Sequence, residues 1–470
     1  MDKLNDILQV IRDAVWGVPT LVLLLGTGLY FTVRLRGMQF RKFPLACKMI
    51  FEKEDGGGDV SPFGSLCTSL AATIGTGSIV GVATALRMGG PGALFWMWVS
   101  ALLGMATKYA ESLLAVKYRT TDEKGEFCGG PMYYIQNGMG RKWIPLARIF
   151  AVFGLITALL GSGTFPQVNS ITETVNSLFG IPVWFIGLIV AVITGFVIIG
   201  GIKSISKVAE FVVPAMALLY IGSALFILVM RAGAIPAVLS AIFKAAFRPT
   251  AIAGGVSGTV VVSVVTAMST GIARGIYTNE AGLGSSPIVS AAAKTSSCVR
   301  QGLISMTGVF FTTIAVCSMT GFVILSSGLI EGTSFDGSVL ASKAFGAGLP
   351  GNAGQYIVTI GIAFFSFTTI IGWCFYGERC IVYLMNSTRC VTVYKIIYLI
   401  MIAAAPFLEL KPIWTLADIT NALMAFPNLI ALLFLRKDVI SETKNFFRKL
   451  DKKLPAGEKT HITEKVRMGE

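Results

Sequence analysis

The chain has 470 residues and a net charge of +14; apolar residue types make up 54% of it and charged types only 14%, with a mean hydropathy of +0.72. Soluble domains carry about 25% charged residues, so the composition argues against a soluble enzyme, a disordered chain or a nucleic-acid-binding protein. The positive charge lies in short segments between apolar runs and in the C-terminal tail, which is the pattern of the positive-inside rule.

In chain order, eleven apolar segments are expected to cross a bilayer at about 20 residues each. They run over 15–34, 62–88, 92–118, 145–172, 182–202, 205–230, 251–275, 302–328, 354–386, 393–409 and 412–436. Residues 1–14 are weakly amphipathic and lack the charged start and cleavage site of a signal peptide, so the first apolar run is expected to stay as an uncleaved helix. Lys and Arg recur at every second boundary: Arg34 to Lys53, Lys117 to Lys142, Lys203, Lys207, Arg274, Lys294, Arg300, Arg379, Arg389, Lys395, Arg436 and Lys437. The alternate loops are poorer in charge or carry Glu173, Glu331 and Asp336. The alternation predicts a multi-pass plasma-membrane protein with its N-terminus outside and its C-terminus in the cytoplasm. Residues 437–470 read as a polar cytoplasmic tail. Its Lys444, Arg448, Lys449, Lys452 and Lys453 either rest against anionic headgroups or are merely solvated.

Little in the chain suggests catalysis. The eight cysteines form no Cys-x-x-Cys pair and read as small buried hydrophobes. The one histidine, His461, is in the tail, which removes histidine chemistry from the membrane. No P-loop occurs, which disfavours ATP-driven transport by this chain.

Two spans look broken. At 71–83, A-A-T-I-G-T-G-S-I-V-G-V-A, Gly75, Gly77 and Gly81 alternate with Thr73, Thr76 and Ser78. Glycine costs about 1 kcal/mol in a helix and hydroxyls compete for backbone bonds. Unwound backbone is tolerated at that depth only where it lines a cavity or is buried in protein. Its carbonyls can hold a cation and its amides a carboxylate; a tight glycine packing face is the other reading. A second break is expected at 266–275, T-A-M-S-T-G-I-A-R-G, with Thr270 and Gly271 mid-span and Gly254, Gly255 and Gly258 before it. With the first helix set aside, each break opens a group of five helices. Five is odd, so the halves run in opposite directions. The expected organisation is an all-α membrane protein. An extra helix and loop occupy 1–61, one five-helix repeat 62–230, the inverted repeat 231–436 and the tail 437–470. Neither expected break contains Asp or Glu, and hard oxygen ligands favour sodium over protons.

Several blocks then become recognisable: A-T-I-G-T-G-S at 72–78, G-G-P-G-A-L-F-W-M-W-V-S-A-L-L-G at 89–104, M-A-T-K-Y-A-E at 105–111, G-G-P-M-Y-Y-I at 129–135, T-N-E-A-G-L-G-S-S-P at 278–287, I-I-G-W-C-F-Y-G-E at 370–378 and F-P-N-L-I-A-L at 426–432. Together they resemble the alanine or glycine:cation symporter family over about residues 10–436. The resemblance implies a leucine-transporter-like fold and sodium-coupled uptake of a small neutral amino acid. Carried over by position, it implies substrate contacts from Thr73, Gly75, Thr76, Gly77, Ser78, Gln167 and Trp373, with Thr270 and Gly271 from the second break. Ser78 stands where the family most often has Asn, and Thr270 stands in place of a bulkier residue. Both suggest a roomier pocket, open to serine and glutamine. By fold analogy, Thr368 or Thr369 ligates sodium with carbonyls of the first break, at Ala71 and Ile74; the other reading is that both hydroxyls bond back to their own helix. Lys108 and Glu111, three apart on one helical face, read as a structural pair. Arg274, Glu280, Glu378 and Arg379 are placed near cytoplasmic ends. The resulting expectation is a carrier that imports alanine or glycine with sodium by alternating access, without a cofactor. A glutamine-preferring carrier and a proton-coupled carrier are the alternatives; a channel or an enzyme fits the polar pattern less well.

The alternation of charge makes the tail testable. A cysteine introduced at 437–470 should react with an impermeant maleimide only after permeabilisation; labelling in intact cells would overturn the orientation.

Overall fold

The structure is a computed structural model and describes residues 2–52, 54–254, 258–330, 335, 337–408 and 410–453. Lys53, Gly255, Glu331, Asp336 and the tail beyond 453, with His461, lie outside the described residues. Helices dominate, because backbone in an apolar solvent must bond within its own segment. An amphipathic α1 (Asp2–Val15) leads into α2 (Val18–Arg34). The first broken helix follows. Ser61 caps α3 (Pro62–Thr73) by accepting the Gly64 N–H at 2.8 Å. The helix stops at Thr73, and the chain re-enters a wide helical turn at Gly77–Gly81 that continues as α4 (Val82–Gly89), bent by 55°. The first break therefore falls where the glycines and hydroxyls place it.

The buried α5 (Gly92–Lys117) ends in a small hairpin, β1 (Thr120–Thr121) paired with β2 (Phe127–Cys128). The expected single span 145–172 is two helices, α6 (Ile144–Leu160) and α7 (Phe165–Phe179). The Gly-Ser-Gly at 161–163 interrupts it, and Pro166 tolerates a helix only in its first turn. Then come α8 (Val183–Ile199), α9 (Gly201–Met230) and α10 (Ile235–Phe247).

The second break differs from expectation. Residues 250–254 and 258–262 are strands instead of helix: β3 (Thr250–Gly254) pairs antiparallel with β4 (Gly258–Val262), as β-branched residues around glycines allow. Helix α11 (Val264–Asn279) starts at the Ser263 cap and runs unbroken through 266–275. The chain unwinds at 280–286, where Glu280 (φ +55°), Gly282 (φ +90°) and Gly284 (φ +82°) take left-handed conformations, and it restarts as α12 (Pro287–Ser290). Glycine alone in α11 was a weaker signal than the later run G-L-G-S-S-P, because one glycine facing a neighbour costs a helix little. A Cβ on Gly271 would lie 2.3 Å from the Ala93 carbonyl oxygen of α5, so this glycine serves close helix packing.

The remaining elements are α13 (Cys298–Val309), continued through a wide turn at Phe310–Cys317 into α14 (Ser318–Ser327), then α15 (Gly337–Gly346), α16 (Ala353–Met385), α17 (Cys390–Ala404), α18 (Leu410–Phe434) and α19 (Arg436–Lys453). The start of the tail is thus a docked helix: Lys117 meets Asp438 at 2.7 Å and Glu442 at 3.0 Å. Among the described residues, seven helical spans are long and apolar enough to cross a membrane, with α1–α2, α6–α7 and α13–α14 each counted as one, or eight with the bent pair α3–α4. The 17-residue α8 and the charge-bearing α5 fall outside that measure.

The two broken helices run antiparallel. Val60 bridges Ala293 at one end, and Gly89 packs on Ala267 and Thr270 at the other. Helix α11 runs parallel to α5, with Gly271 beside Ala93, Gly275 beside Met97 and Asn279 bonded to Lys108. Arg274 is therefore level with the start of α5, whereas Arg379 meets Asp122 in the hairpin beyond its end. This corrects the expectation that both lie at one end, which followed from ending the span at 275.

The second break is held by α5. Lys108 and Glu111 do not form an ion pair with each other. The Lys108 ammonium donates to the Asn279 carbonyl at 2.9 Å. Glu111 Oε1 accepts the N–H groups of Gly282 (3.1 Å) and Gly284 (3.2 Å) and the Asn428 amide (2.5 Å). All three side chains are buried. Glu111→Ala leaves these donors without an acceptor in a dry interior, at a cost of about 3 kcal/mol or more. The purified variant should melt well below the wild type, with Glu111→Gln in between; an unchanged melting temperature would remove Glu111 from this role.

Candidate functional site

The two breaks meet at one small cavity. Ala72, Thr73, Gly75 and Gly77 line it from the first break, and Tyr277, Glu280 and Leu283 from the end of α11 and the second break. Ser162 and Gln167 come from the turn into α7, Thr369 and Trp373 from α16 and Asn421 from α18. The space is about 10 Å³, room for about one water. Unwinding α3 at 74–76 frees backbone groups that need partners. Gln167 supplies one: its Oε1 accepts the Thr76 N–H at 3.2 Å, while its Nε2 donates to the Ser162 carbonyl at 3.1 Å. Asn421 in turn donates to the Ser162 hydroxyl at 2.6 Å. Close approach depends on glycine: a Cβ on Gly75 would lie 2.5 Å from Thr369 Oγ1 and 3.0 Å from Gln167 Oε1, and one on Gly163 2.8 Å from Trp373 Cβ.

Beside the cavity, α16 meets the end of α3 through oxygen atoms. Thr369 Oγ1 shares its proton between the carbonyls of Ala71 (2.9 Å) and Phe365 (3.0 Å), and Thr368 donates to Phe365 at 2.9 Å. Ile74 terminates α3, its N–H returning to Leu70 at 2.7 Å. Carbonyls and hydroxyls are hard ligands suited to an alkali or alkaline-earth cation.

The structure brings Thr73, Gly75, Gly77, Gln167, Thr369 and Trp373 together on the wall. Thr76 is reached through its backbone N–H, and Ala71 lies just behind the wall residue Ala72. Ser78 is fully buried away from the wall, with its carbonyl accepting from Thr320 at 3.0 Å. Thr270 faces a separate cavity of about 350 Å³ that Trp16, Met88 and Arg274 also line, and Gly271 packs on Ala93 and Trp96. Thr368 is buried behind Thr369. Six wall residues went unforeseen: Ala72, Ser162, Tyr277, Glu280, Leu283 and Asn421. The Gly-Ser-Gly at 161–163 and a polar Asn421 in an apolar span were the available signals. Glu280 also corrects the premise that neither break carries an acid, which held only for a break at 266–275.

Comparison with known proteins agrees with this geometry. The model of the sodium:alanine symporter family matches residues 1–460. A transporter of Haemophilus influenzae is 52% identical over 95% of this chain and 97% of its own length. The sodium/alanine symporter AgcS of Methanococcus maripaludis is 46% identical over 94% and 97%. A Bacillus subtilis protein named "Probable sodium/glutamine symporter GlnT" is 37% identical over 95% and 91%. Among solved structures, MhsT in complex with L-phenylalanine superposes with a TM-score of 0.61 at 12% identity, over 83% of this chain and 93% of that one. That likeness establishes a leucine-transporter-like fold. The chain belongs to the sodium:alanine symporter family, as a multi-pass membrane transporter and not an enzyme.

Proposed function

We propose that this symporter imports a small neutral amino acid, alanine or glycine first, together with sodium by alternating access. The observation that carries the proposal is the meeting of both unwound segments with Gln167, Trp373 and Thr369 at a single cavity. Sodium enters between the Ala71 and Phe365 carbonyls and the hydroxyls of Thr368 and Thr369, with the backbone at Ile74 nearby. The substrate carboxylate faces the N-terminal end of the half-helix that begins at Gly77, the N–H groups of Gly75 and Thr76 being taken up by the Thr73 carbonyl and Gln167. Gln167 fixes that segment, and Trp373 covers the site. Ion and substrate are coupled because both favour the state in which α3 and α16 are joined.

The antiparallel course of the two broken helices supports the layout of one extra helix and two inverted five-helix repeats, 62–230 and 231–436, in eleven crossings. The same reading keeps the N-terminus outside and the 437–470 tail in the cytoplasm. Alanine is favoured by the name of the relative AgcS, glutamine by that of the more distant GlnT. The case for a roomier pocket loses its basis in Ser78 and Thr270, since neither is on the cavity wall. Glu280 gives the proton-coupled alternative a carboxylate on the path, as such carriers commonly have.

Three measurements test this. Uptake of labelled alanine into proteoliposomes should require sodium; uptake that persists in choline under a proton gradient would replace sodium by protons. Thr369→Ala removes one hard ligand, at about 1–3 kcal/mol, so the sodium concentration for half-maximal uptake should rise about tenfold or more while alanine still saturates. Gln167→Ala leaves the Thr76 N–H unpaired and should weaken alanine binding by a similar factor with the protein still folded; loss of the fold would assign Gln167 a purely structural role.

A further inference from the structure

We propose that Glu280 supplies the counter-charge for the substrate's α-ammonium group. The proposal rests on the reading of the cavity as the amino-acid site, and it adds the residue that would distinguish an amino acid from other small carboxylates.

Among the described residues Glu280 is the only carboxylate on the cavity wall and no ammonium or guanidinium lies there; the other polar side chains are neutral hydroxyls, amides and the Trp373 indole. The residue is 3% exposed. Among the described residues no ion pair within 4 Å is made to it. The Ser285 hydroxyl donates to Oε2 at 2.6 Å and the Trp373 indole also bonds the carboxylate, so both hydrogen-bond partners of this buried acid are neutral. The charge of Lys108 acts on both Glu280 and Glu111 through space, while its ammonium hydrogen-bonds the Asn279 carbonyl and neither carboxylate. Glu111 is met at Oε1 by two backbone N–H groups and an amide, while its buried Oε2 has no partner. A formal count over the buried Lys108, Glu111 and Glu280 gives +1 − 2 = −1, and of the two acids Glu280 is the one that lines the cavity. A buried charge without a partner is costly, so a cation arriving in the cavity gains what the protein itself withholds.

The backbone points the same way. Glu280 is in the left-handed region at φ +55°, where Gly or Asn would fit with less strain. Strain of this kind is found at binding sites held by their surroundings, and here Lys108 and Glu111 fix the residues on either side. The conformation sets the carboxylate on the wall shared with Thr369 and Gly75. An amino acid has one cationic and one anionic end. With its carboxylate on sodium and the half-helix that begins at Gly77, its ammonium turns to the second break and Glu280. Sodium has its own oxygen set at Ala71 and Thr369, so the carboxylate of Glu280 is left for the substrate.

The test compares L-alanine with L-lactate, which has the same carboxylate and size but a hydroxyl in place of the ammonium. Both are titrated against the purified full-length protein in sodium, by competition with labelled alanine. The wild type should prefer alanine by about a hundredfold, and Glu280→Gln should lower that ratio by about tenfold or more, as expected for a lost charge-assisted bond. Glu280→Asp, which keeps the charge, should retain most of the preference, and the sodium requirement should change by less than about threefold. If Glu280→Gln does not fold, Ser285→Ala decides, because it releases the carboxylate from its one hydroxyl partner and should shift the ratio measurably. A wild type that binds lactate nearly as well as alanine, or a ratio unchanged in the variants, overturns the assignment while leaving the transporter reading intact. A change confined to the sodium requirement overturns it in favour of Glu280 as an ion ligand. No sodium-dependent binding of any neutral amino acid would overturn both.

Discussion

Unwound backbone inside an apolar interior has to find its hydrogen bonds in neighbouring side chains, and much of this structure follows from that constraint. Two helices are broken, and their freed groups are matched by buried polar side chains on neighbouring helices. Gln167 answers the first break, while Lys108, Glu111 and Asn428 answer the second. These residues do not line a pore or form a catalytic set. They hold two short stretches of chain open so that carbonyls and amides face a cavity instead of each other. Asn428 itself is oriented by Tyr134, whose hydroxyl donates to Oδ1, and by the Gly282 carbonyl at 2.8 Å. Removing one member leaves others unpaired, so the polar interior acts as a unit.

The fold class was legible because bilayer thickness imposes a length and composition that any reader of the sequence can measure. The first break was legible for a different reason: three glycines and three hydroxyls within nine residues oppose a helix locally, whatever surrounds them. The second was misplaced because Gly271 and Thr270 raise the same signal singly, and tertiary packing on Ala93 and Trp96 absorbs it. The true break at 280–286 has its two glycines closer together and more serine but also Glu280, whose charge suggested a loop end outside the membrane. Its burial depends on Lys108 and Glu111, about 170 residues earlier in the chain. That is a contact no local pattern reveals. Trp373, Gln167 and Thr369 were placed through family resemblance, whereas Ser162 and Asn421 required the fold, since each is an ordinary polar residue until the other faces it at 2.6 Å.

Alternating access also requires that both ends of the molecule can open, and the two ends are closed by different means. Where α5 ends, Arg119 donates to four carbonyls, of Gly57, Ala291, Ala293 and Thr295, at 2.8–3.1 Å. The Lys294 N–H bonds Val60 at 2.7 Å. Buried Arg379 is surrounded by Asp122, Glu126 and Glu378, the last shared with Lys395. The outer ends of α3 and α12 are thereby tied to each other, and the hairpin β1–β2 is tied to α16. At the opposite end the closure is thinner. Asp418 of α18 is shared by Arg12 at 3.1 Å and Arg274 at 3.6 Å, beside cavities of about 350 and 630 Å³. In the proposed cycle, sodium at Ala71 and Thr369 joins α3 to α16, the same two helices whose ends are held by the Arg119 and Arg379 networks. An ion there reinforces the tighter closure, and its departure weakens that end alone. In that proposed cycle the asymmetry in contacts would give the ion a differential affinity for the two states, without which no gradient could drive it.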